Sequence, residues 1–219
     1  MAFGRIAVER VNALQQGSRT AAADDDHALA VALAGVERHL GATRTALVAQ
    51  PKRSVLTWYF RKAAIDGMTD PFFLEIILNP DLLPFERPFV LAHEWAHLAG
   101  YADESEANFI AWLTCVSGSP SARYSGWLTA YEHLAAALPR EDGRELAARL
   151  HPVVMADLAA ARERLVRSSP AVRTAARGAY DTYLKANRVE EGIASYNAVV
   201  RLLLGTSFDL NWKPLLREP

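Results

Sequence analysis

The chain has 219 residues, 51% of them apolar, and a formal net charge of -1; it can bury a sizeable core and has no basic surplus to draw it to nucleic acid or anionic lipid. Its lone cysteine, Cys115, excludes an internal disulfide framework and any cysteine-rich zinc site, so His and carboxylate side chains are the available metal ligands and Cys115 reads as a core residue. The chain has no apolar run of membrane-spanning length, and Arg5, Glu9 and Arg10 interrupt the start where a signal peptide needs continuous apolar sequence. It therefore reads as soluble and cytoplasmic, although Met1 to Gln16 looks like the middle of a helix, and a membrane association could come only through a segment ahead of it.

The expected fold is mostly α (α+β): one domain over 1–219, with N-terminal helices in 1–50, a strand and metal-binding core in 51–118, a helical half in 119–205 and a tail in 206–219. Arg5 to Gln16 and Asp24 to Leu40 read as amphipathic helices, the second opened by Asp24, Asp25 and Asp26 at its positive dipole end and closed by Gly41. His27 and His39 are read as ordinary surface or boundary residues. Between Ala46 and Asn79, Pro51, Gly67, Pro71 and Pro80 punctuate short runs, of which Phe72 to Leu78 is the best strand. An extended peptide could add to it by backbone hydrogen bonds.

Next comes Pro88-Phe89-Val90-Leu91-Ala92-His93-Glu94-Trp95-Ala96-His97-Leu98-Ala99-Gly100, a helix with proline at its start and glycine at its stop. It carries the pattern HExxH. Four residues apart, His93 and His97 lie one above the other on the same face, where two imidazoles can hold one zinc ion with Glu94 beside it. A buried Glu94 without a metal and its water would be costly, so its expected role is general base.

A catalytic zinc site needs a third protein ligand. Asp103, Glu104 and Glu106 follow closely. If a helix starts at Glu104, Asp103 is its N-cap and Glu106 its third residue, the arrangement of a capping box, which leaves Glu104 free to bind metal. Glu106 projects about 200° away from Glu104 around the helix, whereas Asn108 lies one turn beyond it on the same side and could orient a ligating imidazole. Asp103 is the competing third ligand. Further helices are expected over Glu104 to Val116, Ser121 to Leu138, Arg144 to Leu150, Pro152 to Arg167, Pro170 to Asn187 and Glu190 to Leu204, with Thr206 to Pro219 as coil.

The HExxH helix followed by Glu104-xxx-Asn108 resembles the gluzincin metallopeptidases, whose second helix carries Glu-xxx-Asp; here Asn stands in place of that Asp. HExxHxxGxxD, ending in Asp103, resembles a small group of bacterial zinc proteases with Asp as third ligand. The motifs from Pro84-Phe85-Glu86-Arg87-Pro88 through HEWAH, Gly100-Tyr101, ESEANF, Arg123-Tyr124-Ser125-Gly126-Trp127 and Tyr183-Leu184-Lys185 to Glu191-Gly192-Ile193-Ala194-Ser195-Tyr196 are similar to those of an uncharacterised bacterial family of zincin-like proteins. Members of that family typically carry transmembrane helices ahead of the zincin domain.

These readings converge on a zinc metallopeptidase with His93, His97 and Glu104 as metal ligands, Glu94 as general base and a peptide or protein substrate. The developing oxyanion needs a donor besides the metal. Tyr196 is the first candidate, in a polar Gly-Ile-Ala-Ser-Tyr stretch, with Tyr124, Arg123, His133 and Arg201 behind it. The alternative class is a zinc-stabilised binding or scaffold module without turnover.

Overall fold

The computed structural model describes residues 1–16, 25–70, 72–176, 178 and 196–216. The fold is mostly helical, with one small sheet ahead of the HExxH helix. In chain order the elements are α1 (Ala2–Leu14), α2 (Asp25–His39), β1 (Pro51–Lys52), α3 (Thr57–Ala63), β2 (Gly67–Asp70), β3 (Glu75–Leu78), α4 (Arg87–Leu98), α5 (Glu104–Val116), α6 (Pro120–Ala137), α7 (Arg140–Ala147), α8 (Pro152–Val166) and α9 (Tyr196–Gly205). A helical stretch also covers 170–176; the remainder of the helix expected to run on to Asn187 lies outside the described residues, as do 190–195 of the last one. Among the described residues, no helix is long and apolar enough to cross a membrane.

The sheet has three strands in the order β1-β3-β2. β1 runs parallel to β3, and β2 pairs antiparallel to it with Thr69 opposite Ile76 and Gly67 opposite Leu78. This corrects the expected strand over Phe72 to Leu78, which begins only at Glu75. Asp70 accepts hydrogen bonds from Phe72 N at 2.8 Å and Phe73 N at 3.1 Å, and Leu74 has φ 53°. Those features turn the chain, because a capped loop and a left-handed residue cannot continue a strand. Phe72, Phe73 and Leu74 are consequently exposed loop residues despite being apolar. β3 is central, so the places beside the sheet for an added chain are its edge strands, β1 and β2, and not β3.

α4 packs on β2, β3, α5 and α6. Phe89, Leu91, Ala92, Trp95 and Ala96 are buried, and Trp95 Nε1 donates to Ala49 O at 2.8 Å, tying the helix to the chain entering the sheet. Buried Ser125 of α6 accepts from Phe89 N at 3.1 Å, satisfying a backbone donor near the start of α4 that the helix itself leaves unpaired. α5 and α6 touch closely at Gly126, where an added Cβ would lie 2.6 Å from Cys115 Cβ. Cys115 is buried, and burial pushes its thiol well above the ordinary range. The tail is more ordered than a plain coil: Phe208 and Pro214 form a β-bridge, and Phe208 and Trp212 join Phe3, Trp112 and Trp127 in an aromatic cluster.

Candidate metal centre

α4 ends at Gly100. With φ 101°, this glycine lets Tyr101 N donate back to Ala96 O at 3.1 Å and Gly100 N to His97 O at 3.0 Å, the paired bonds of a Schellman motif. The same turn carries the carbonyl of Tyr101 to within 2.8 Å of His97 Nδ1. A carbonyl can only accept, so Nδ1 holds the proton and the lone pair is on Nε2, which faces the site.

The chain then enters α5 through Asp103, whose Oδ1 accepts from Ser105 N at 2.8 Å and Glu106 N at 3.1 Å. The N-cap role expected for Asp103 is what the structure contains, and it leaves the next residue, Glu104, pointing back toward α4. His93 Nε2 lies 3.1 Å from His97 Nε2 and 3.3 Å from Glu104 Oε2, and His97 Nε2 lies 3.7 Å from Glu104 Oε1. Ligands about 2.0–2.1 Å from a tetrahedral zinc are separated from each other by about 3.3 Å. The three side chains thus form a half-buried cluster able to hold a divalent metal ion. Asp103 is not part of it.

Burial works against a charge on His93, but its hydrogen bond to Glu104, the charges of Glu94 and Glu104 and an interaction with Asn108 outweigh that and raise its pKa. Among the described residues, its buried Nδ1 has no hydrogen-bond partner. Glu94 is 5% exposed, and burial raises its pKa against the opposing pull of His93, His97 and a hydrogen bond from Thr69. The Thr69 hydroxyl lies 2.7 Å from Glu94 Oε2 and 3.0 Å from Glu94 O. Nothing in the HExxH pattern points to Thr69. No sequence signal locates it, because the contact exists only once β2 lies against α4.

The oxyanion candidates fall in different places. Tyr196 opens α9, but its side chain lies outside the described residues. Tyr124 is fully buried, its hydroxyl donating to Asp157 Oδ2 at 2.5 Å. Arg123 and Arg201 are exposed. His133 senses the site: burial, followed by the charge of His93, pushes its pKa down to about 4, so it is neutral at physiological pH. His27 and His39 are on the surface as expected.

The family model described as "Protein of unknown function (DUF3810)" matches residues 1–204. The match covers nearly all of the chain, which belongs to that family. No curated protein and no solved structure matches the chain.

Proposed function

Membership of a family without an assigned activity leaves the site to speak for the chemistry, and we propose that the protein is a zinc-dependent metallopeptidase. The observation that supports this reading most is the convergence of His93 Nε2, His97 Nε2 and the Glu104 carboxylate within 3.1 to 3.7 Å of one another, with the buried carboxylate of Glu94 beside them. Two neutral imidazoles and one carboxylate are the donor set of a zinc hydrolase, and the lone pair held on His97 Nε2 by Tyr101 O suits that set. The orientation of His97 would otherwise have to be established when the metal arrives.

In this reading His93, His97 and Glu104 hold the ion, which when bound would polarise the scissile carbonyl and make its water acidic. Glu94 takes the proton of the attacking water and returns it to the leaving amine; its raised pKa suits a group that must do both. The peptide runs extended along the outer edge of β2, the strand next to Glu94, and Tyr196 is the proposed donor to the oxyanion. The resemblance to zincins and the small sheet ahead of the HExxH helix both support the assignment.

Glu94→Gln keeps the shape of the side chain and loses its basicity. It should bind zinc as the wild type does and cleave unstructured peptides and denatured proteins slower by about two or more orders of magnitude, read by mass spectrometry. Equal, chelator-insensitive cleavage by both forms would count against the assignment, and zinc binding with no cleavage by either would favour a binding module.

A further inference from the structure

We propose that β2 positions the base: Thr69 is a positioning residue that occupies Glu94 Oε2, Gly67 clears the space beside Oε1, and together they leave Oε1 as the oxygen that takes the proton. The proposal rests on the metallopeptidase reading above and adds to it the residues that orient its base.

Gly67 and Thr69 are two apart on one strand, so they present to the same face. Thr69 is paired with fully buried Ile76, and both Gly67 and Thr69 touch Glu94, so that face is the one turned to α4. The Thr69 hydroxyl has one proton and two acceptors within reach, Glu94 Oε2 at 2.7 Å and Glu94 O at 3.0 Å. The carboxylate oxygen is closer and carries charge, so it takes the proton. Once Oε2 accepts from Thr69, a proton arriving from water goes to Oε1, and Oε2 remains an acceptor in the resulting acid. The same hydrogen bond therefore serves both protonation states that the reaction visits.

Gly67 supplies the complementary condition. A Cβ at this position would lie 2.5 Å from Glu94 Oε1, 2.8 Å from Cγ and 2.9 Å from Cδ. Any side chain here would push the carboxylate out of its place. The entry to the strand is itself anchored: Arg164 donates to Asp66 Oδ1 at 2.8 Å and to Glu86 Oε1 at 2.8 Å, and Asn79 N donates to Asp66 O at 2.8 Å. β2 is thus fixed at one end by α8 and holds Glu94 along its length.

Two readouts test this, one without metal and one with it. In the metal-free full chain, Thr69→Val should lower the folding equilibrium constant about 10- to 100-fold, the usual range for a hydrogen bond to a charged group. The same change in a Glu94→Leu background, or in Glu94→Ala should the first fail to fold, should have little effect. In the zinc-loaded chain, Thr69→Val should bind zinc with wild-type affinity but cleave the peptide panel about 10-fold or more slowly, and Thr69→Ser should recover most of the rate. Equal destabilisation in both backgrounds overturns the proposal, as does wild-type turnover by Thr69→Val. A chain that takes up no zinc, or whose Glu94→Gln form cleaves normally, instead overturns the metallopeptidase reading, while the metal-free comparison still decides whether Thr69 holds Glu94.

Discussion

At φ 101°, Gly100 adopts a backbone conformation that L side chains avoid, and the turn it makes puts Tyr101 O against His97 Nδ1. Gly100→Ala has room for its methyl group, since nothing lies within 4 Å of the added Cβ; its cost is therefore in the backbone, about 1–2 kcal/mol. If the turn relaxes, the carbonyl leaves His97, and zinc affinity should fall about 10- to 100-fold, the range expected on losing an outer partner of a ligand. Competition with a chromophoric chelator would measure it; wild-type affinity in Gly100→Ala would mean that His97 does not depend on Tyr101 O. Asn108 interacts with His93 and helps raise its pKa, which makes it the candidate for the corresponding part. Asn108→Ala should weaken zinc by about 10-fold or more without unfolding the chain, in the same assay and with circular dichroism as the control. Unchanged affinity would reduce Asn108 to a residue of α5.

Among the elements, α5 has to lie close enough to α4 for Glu104 to reach the histidines, and α6 packs against both. Gly126 permits that approach. In Gly126→Ala the new methyl group meets Cys115 Cβ, a Cβ-to-Cβ clash that no rotamer relieves, and overpacking of this kind costs about 1–3 kcal/mol. Adding Cys115→Gly removes the obstructing Cβ and should recover part of the loss in a denaturation experiment; strictly additive destabilisation would argue against the contact as its cause. Helices were the legible part of this fold. Asp103 and Pro88 are start signals with a local mechanism, and α5 and α4 begin beside them, whereas α3, which has no side-chain cap, was not foreseen. The sheet was not legible, because β1 and β2 are too short for any alternation to register and their pairing with β3 is long-range. Phe72-Phe73-Leu74 read as strand because apolar runs usually are; Asp70 capping and the left-handed Leu74 are set by the hairpin, not by hydropathy.

For the whole molecule, the cluster of HExxH with the downstream Glu104 was readable since an i, i+4 pair on a capped helix fixes its own geometry, and Asp103 stands in the N-cap, outside that cluster. Thr69 and Gly67 were not readable, because their contact with Glu94 exists only once a strand has been laid against α4. The site is thus assembled from three elements distant in kind: a buried helix supplying two imidazoles and a carboxylate, a second helix supplying another, and an edge strand. Metal analysis of the purified chain is the most direct measurement of whether that assembly is a zinc site. The wild type should carry one zinc per chain, His93→Ala and Glu104→Ala should lose it, and Asp103→Ala should keep it while losing about 1 kcal/mol of stability with its cap. Full zinc retention in Glu104→Ala together with loss in Asp103→Ala would contradict the ligand set.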